Sequence, residues 1–296
     1  MHPVITTPRA TDSTTRSAAA HASGAPGADP LTDRSRRIWS AGDYDRVAAG
    51  FRREGEAFVA RQRLAPGQRA LDLACGSGNL TIPAARAGAT VTGLDLAPAL
   101  LARAAEWARS EALTVALDEG NAEALPYADA TFDVVLSMFG VMFAARPERV
   151  VAELERVTRP AGRVALANWT REGFVGRMLA LHAALVPPPP GVPSPLLWGD
   201  EETLRERFDA TRWRLTTTRR TLTFRYPHTP AGTAELFRAT YGPSVCTFAA
   251  LDEDGRAALA AELAAHWAEH ARAVPGAGGA CTEVDADYLE VVAVRR

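Results

Sequence analysis

"LDLACGSGNL", residues 71–80, passes from an apolar stretch through a glycine-rich turn into a helical pattern. Gly76 and Gly78 let the chain turn tightly and let a ligand touch backbone. Strand-turn-helix junctions of this kind bind nucleotides. The third glycine of the dinucleotide fingerprint is missing, because Thr81 stands there. Asp72 narrows the choice further. A pyrophosphate at this turn would lie about 4–6 Å from a carboxylate and be repelled unless a cation intervened. A cationic ligand would be favoured instead. The alternative for Asp72 is to cap the turn or a helix end.

Working outward, the spacing predicts alternating strands and helices. Strands are expected over 69–74, 90–96, 114–120, 132–140 and 162–169, with helices between them. Pro98 and Pro147 suit the first turn of a helix, where a missing N–H costs nothing. Such alternation implies a parallel sheet covered on both faces and, with right-handed crossovers, a doubly wound α/β fold. Residues 36–63 read as helix, loop, helix ahead of it. Beyond 170 the rhythm breaks. Helical stretches 170–212 and 228–275 flank the alternating run 214–226, and 285–296 closes as a strand. Two late strands bring the expected sheet to seven, with an antiparallel final strand. Residues 1–33, rich in Thr, Ser, Ala, Gly and Pro, read as a disordered tail. Residues 34–296 then form a single domain, with 66–169 as its ligand-binding core.

Composition removes several functions. The chain has 296 residues and a formal charge of -2, with no basic excess for neutralising phosphates, so no nucleic-acid partner is expected. All 33 basic residues are arginine. Without a lysine amine there is no Schiff-base chemistry and no phosphate-loop lysine. Cys75, Cys246 and Cys281 are too scattered for a disulfide framework or a metal knuckle. His266 and His270, four apart on a helix, lack an evident third ligand, so no metal is expected; a charged, Ala-rich helix face is the alternative. No apolar run is long enough to span a membrane, and the N-terminus lacks a signal-peptide core. A cytoplasmic protein is expected.

Ligands of open α/β sheets sit beyond the carboxyl ends of the strands. There the sequence places Asp72, then Asp95, Asn121, Ser137 and Asn168. Asp95 stands 17 residues after Gly78, where an acidic group accepts from both hydroxyls of a ribose. A ribose beside a site that welcomes positive charge fits S-adenosylmethionine, which carries an α-ammonium and a sulfonium but no phosphate.

"LDLACGSGNLT", "GLDLAPALL", "GNAEALPYADATFDVVLSMFGVMF" and "RVTRPAGRVALANW" resemble, in order and spacing, the motifs of class I S-adenosylmethionine-dependent methyltransferases. The likeness is greatest to the ubiquinone/menaquinone-biosynthesis-type branch, which includes many natural-product enzymes, and it covers about residues 40–170. The resemblance implies a Rossmann-like fold with helical lid insertions, and S-adenosylhomocysteine as a product. It implies that Asp72, Ala74, Gly76 and Gly78 line the methionine and ribose part, and that Asp95 binds the ribose diol. Leu96 would pack on the adenine, Asn121 and Ala122 would read its edge, and the Ser137 carbonyl would meet the ammonium. Tyr44 matches an aromatic that N-terminal helices fold over the cofactor; a surface tyrosine is the alternative. The family usually has aspartate where Asn121 stands, and glycine where Ala161 stands.

Methyl transfer is an in-line displacement that needs alignment and exclusion of water more than covalent chemistry. The sequence names no base. His182 and Tyr241 in the insertions are the candidate catalytic groups, each with a structural role as its alternative. Met138, Phe143, Trp169 and Trp198 are candidate contacts for a small, largely apolar acceptor; ordinary core packing is theirs. A secondary metabolite, methylated on N, O or C, is expected. The rival reading is an enzyme that binds S-adenosylmethionine and promotes a cyclisation or other non-methylating reaction, since one fold hosts many functions.

Overall fold

The computed structural model describes residues 29–276 and 279–296. Three helices come first: α1 (Pro30–Ser40), α2 (Tyr44–Ala48) and α3 (Arg52–Gln62). The alternation follows as β1 (Arg69–Leu73), α4 (Thr81–Arg86), β2 (Thr90–Asp95), α5 (Pro98–Ser110), β3 (Ala116–Glu119), β4 (Phe132–Met138), α6 (Pro147–Val157) and β5 (Thr158–Trp169). The remainder is α7 (Phe174–Leu185), α8 (Glu201–Arg207), β6 (Trp213–Tyr226), α9 (Pro230–Thr240), α10 (Gly242–Ala250), α11 (Glu253–His270), β7 (Arg272–Gly276) and β8 (Gly279–Arg295). No helix among the described residues is long and apolar enough to cross a membrane.

The tail expected over 1–33 meets the described residues only at 29–33, and there it is corrected. Pro30 opens α1, and the Thr32 hydroxyl donates to Asp29 at 2.6 Å. Residues 1–28 lie outside the described residues. α1 carries no fully buried residue, so no apolar stripe announces its first turn.

Seven strands form one sheet in the order β3-β2-β1-β4-β5-β8-β6, and short β7 pairs with β8 off that path. β1 to β5 run parallel, while β8 is antiparallel to both β5 and β6. The central strands are covered on both faces, which is why they read as unbroken apolar runs. Leu71, Leu73, Val134, Leu136, Val164 and Leu166 are all fully buried. β6, at the sheet edge, mostly alternates exposed and half-buried positions along "RLTTTRRTLTFRY" and buries only Leu222, Phe224 and Tyr226 of that run. Its exposed arginines and threonines blunt an edge that could otherwise pair with another chain. The closing strand begins earlier than 285, because its first residues pair with the unforeseen β7.

The strand order reverses between β1 and β4. Their carboxyl ends, with those of β2 and β3, converge on one side of the sheet, where a ligand crevice forms.

Candidate functional site

The turn after β1 contains three residues in the left-handed region: Ala74 (φ 56°), Gly76 (φ 54°) and Gly78 (φ 99°). Ala74 bears a Cβ there, which costs about 1–2 kcal/mol. A Cβ on Gly140 would lie 2.6 Å from that of Ala74, so the β1 and β4 turns meet only because residue 140 is glycine. Strain of this kind persists where surrounding structure over-determines it, often at ligand sites.

Two buried carboxylates flank the turn. Asp95, 7% exposed, accepts from the Gly76 amide at 2.8 Å and the Ala97 amide at 2.9 Å. Burial raises its pKa, and the Ala97, Gly76 and Leu96 amides oppose the rise. Asp72 is 1% exposed and accepts from the Thr81 hydroxyl at 2.6 Å and from the Thr81 amide. It is thereby tied to the first residue of α4 while also facing the cleft. Burial pushes its carboxyl up to about 7, against the two Thr81 hydrogen bonds.

The cleft between these groups is lined by Ala74, Gly76, Leu96, Asn121, Ala122, Met138 and Phe143 as well as both aspartates. Its wall includes Asp72, Asp95 and Glu123 but no arginine among the described residues. Ser77 Oγ and Asn79 Oδ1 are buried on the same wall without a hydrogen-bond partner among the described residues. Unpaired buried polar atoms beside carboxylates suit a ligand with an amino-acid end. The donor set thus fits S-adenosylmethionine: acceptors for the ribose and ammonium, and no basic side chain to hold a phosphate.

Helices α1 and α2 form the roof. Tyr44 covers the glycine turn, its ring 3.9 Å from where a Gly76 Cβ would stand. Burial raises its hydroxyl pKa, with the charge of Asp95 a lesser cause. Trp39, which no sequence motif singles out, meets Tyr44 edge-on at 5.5 Å, Phe143 at 4.9 Å and Tyr241 at 6.1 Å. Thr32 and Ser35 from α1, and Val141 after β4, are further lining residues that the sequence does not single out. Their one signal was proximity to strand four or to "RIWSAGDYD".

Several expected site residues stand elsewhere. Gly78 lies off the lining and makes room for α5, since a Cβ would come within 3.3 Å of Ala104. Ser137 sits behind the cleft wall. Its hydroxyl donates to the Leu73 carbonyl at 2.6 Å and accepts from the Val141 amide. Asn121 lines the cleft, but its amide oxygen accepts from the Glu123 amide and its nitrogen donates to Thr32. Trp169 is buried off the lining and stacks on Phe139 at 3.5 Å, so Phe139 rather than Trp169 reaches the cleft. Trp198 is 1% exposed, with Arg207 over its ring at 4.8 Å, in the core rather than the cleft.

His182 is also off the lining. Its Nδ1 lies 2.8 Å from the Met178 carbonyl and its Nε2 2.8 Å from the Ser244 hydroxyl. Tyr241 is buried behind Trp39 and does not line the cleft. His266 stacks on Phe174 at 4.4 Å and bonds its carbonyl, and His270 bonds the His266 carbonyl. Among the described residues no three potential metal ligands cluster.

Comparison with known proteins agrees with this geometry. Residues 71–166 match the family model described as a methyltransferase domain. An uncharacterized protein of Mycobacterium bovis is 40% identical over 233 residues, 77% of this chain and 83% of its own length. The malonyl-[acyl-carrier protein] O-methyltransferase of Pectobacterium atrosepticum is 37% identical over 129 residues, 44% of this chain and 49% of that protein. The YcgJ protein of Bacillus subtilis shares the fold, with a TM-score of 0.56 and 15% identity over 82% of this chain and 99% of its own. So does the [4+2]-cyclase SpnF, with a TM-score of 0.52 and 21% identity over 82% of this chain and 80% of its own.

Proposed function

The chain belongs to the class I S-adenosylmethionine-dependent methyltransferases, and from that premise we propose that it methylates an N, O or C atom of a small, largely apolar secondary metabolite. The observation that carries the reading is the division of the cleft. Its β1–β2 side bears the carboxylates, while Trp39, Phe51, Met138, Phe139, Val141 and Phe143 form an apolar wall around the β4 turn.

In this reading Asp95 takes the ribose diol, and Asp72 receives the ammonium directly or through one water. Ser77 and Asn79 supply their unpaired oxygens to the amino-acid end. Leu96 packs on the adenine, and Ala122 borders its edge. Tyr44 closes over the turn. The bound cofactor supplies an activated methyl on sulfonium. The chain contributes alignment and dryness: the aromatic roof excludes water, and the apolar wall orients the acceptor. A wall of this composition suits a flat, uncharged molecule and gives phosphate no counter-charge.

The test is incubation with methyl-labelled S-adenosylmethionine and a panel of apolar phenols, amines and quinols. Label in an organic-extractable product, with equimolar S-adenosylhomocysteine, is expected. Label confined to nucleic acid or protein would overturn the acceptor class. An isomerised product with no gain of a methyl would favour the cyclase-like alternative, whose fold SpnF shares.

A further inference from the structure

A ring of hydrogen bonds ties α1 to the loop after β3 along one wall of the cleft. Asn121 Nδ2 donates to Thr32 Oγ1 at 3.0 Å, and Thr32 Oγ1 donates to Asp29 Oδ2 at 2.6 Å. Arg146, at the start of α6, donates to both Asp29 oxygens at 2.7 Å and to Glu123 Oε2 at 2.7 Å. The Glu123 amide donates to Asn121 Oδ1 at 2.9 Å, which closes the ring on the residue where it began.

The direction of each bond fixes the chemistry of residue 121. A threonine hydroxyl that donates its one proton to Asp29 can only accept from its other neighbour. Residue 121 must therefore offer an N–H on one side and an oxygen on the other. An ionised aspartate, the usual family residue here, offers oxygens alone. Asparagine satisfies both sides.

What the ring holds is otherwise loosely seated. α1 has no fully buried residue, yet it contributes Thr32, Ser35 and Trp39 to the cleft lining. Its C-terminal half is anchored by the packing of Trp39. Its first turn is fastened by the ring, and Arg36, just past the middle of the helix, pairs with Glu119 at 3.3 Å. Asp29 and Arg146 are both partly exposed, so water and salt compete for them. An element held by polar ties at one end and apolar packing at the other opens from the polar end.

We propose that this ring is a latch: the first turn of α1 must detach from Asn121 and Arg146 before S-adenosylmethionine enters or S-adenosylhomocysteine leaves. Asp29, Thr32, Asn121 and Arg146 are positioning residues in this scheme. They set how fast the cofactor exchanges, and none touches the reacting atoms. The inference rests on the proposed placement of the adenine beside Ala122.

The experiment loads the full chain with labelled S-adenosylmethionine and chases with excess unlabelled cofactor, at low and high salt. The variants are Asp29→Ala, Arg146→Met, Asn121→Asp and the double Asp29→Ala/Arg146→Met, each checked by thermal melting. Exchange should accelerate on the order of tenfold in each single variant, the size of losing one charge-assisted tie. The double variant should exchange no faster than the faster single, because both break the same ring. Salt should accelerate the wild type and leave the double variant nearly unchanged. Entry and exit should both quicken, so affinity moves less than either rate. Arg146→Met also removes a group at the head of α6; if it melts early, Asp29→Ala and Asn121→Asp decide the matter. Folded variants that exchange at the wild-type rate would overturn the latch. Unchanged affinity in Asp95→Ala would instead overturn the placement on which it rests.

Discussion

The Thr81 hydroxyl, at the start of α4, donates a 2.6 Å hydrogen bond to the Asp72 carboxylate at the end of β1. That bond and the Thr81 amide favour the ionised form of a carboxyl that burial nevertheless pushes up to about 7. The sign of the pH effect follows. A raised folded pKa means the fold prefers protonated Asp72. Its contribution to stability is complete below the ordinary carboxyl pKa of 3.8 and is lost as pH rises through about 7. A cationic ligand prefers the ionised form, so affinity should move the opposite way. S-adenosylmethionine binding should weaken by up to about tenfold per pH unit below 7, one proton being released on binding. Asp72→Asn should abolish that slope, weaken binding by about 1.5–3 kcal/mol and stabilise the cofactor-free protein near pH 8. Calorimetric titration across pH, paired with melting curves, reads all three. A slope that survives in Asp72→Asn would mean another group titrates.

Asp95 has two tasks that a pair of substitutions separates. Its oxygens hold the Gly76 and Ala97 amides and, in the proposed placement, the ribose. Asp95→Ala should cost cofactor affinity by about 100-fold or more, since charge-assisted bonds are worth about 1.5–3 kcal/mol each. It should also lower the melting temperature, because two buried amides lose their partner. Asp95→Asn retains one acceptor and should recover part of the stability while remaining poor at binding. Equal affinity in wild type and Asp95→Asn would remove the ribose from this position.

How much of this was legible depends on what each residue answers to. β1, β4 and β5 could be read because strands covered on both faces must be apolar throughout. Asp72 and Asp95 could be read because polar groups at the ends of such strands are few and their position follows from topology. The first turn of α1 could not, because Asp29 and Thr32 are secured by Arg146 and Asn121, far away in sequence. β7 is illegible for a related reason: its pairing partner lies on β8, and "RAVPG" carries no alternation of its own. The residue types of Trp169, Trp198 and His182 suggest a site, yet their direction is set by packing against Phe139, Arg207 and Ser244. Asn121 departs visibly from the aspartate usual in its family, but nothing local in the sequence points to its partner Thr32 on α1.

Ala161 is the second departure, and it has a conformational consequence. It adopts φ +61° on the exposed turn within β5, the left-handed region that glycine enters freely. An alanine there pays about 1–2 kcal/mol, of which glycine's greater unfolded-state entropy takes back about half. Ala161→Gly should therefore stabilise the protein by about 0.5–1 kcal/mol, raising the melting temperature by a degree or more. The turn lies at the opposite end of the sheet from the cleft, so turnover should be unchanged. A lower melting temperature would show that the turn has partners that compensate the strain.

His182 marks the limit of reading chemistry from residue type. A carbonyl cannot donate, so Nδ1–H must give its proton to Met178, and Nε2 accepts from the Ser244 hydroxyl. Burial lowers the ring's pKa and keeps it neutral. The only basic nitrogen is thus occupied by a buried hydroxyl between α7 and α10, away from the cleft. His182→Ala should cost about 2–3 kcal/mol of stability through the cavity and the orphaned Ser244 hydroxyl. At a temperature where the variant is folded, kcat should stay within about threefold of wild type and its pH profile should not move, as no proton transfer passes through the ring. A folded His182→Ala protein with kcat reduced by about 100-fold or more, the loss expected of a general base, would return the histidine to the chemistry.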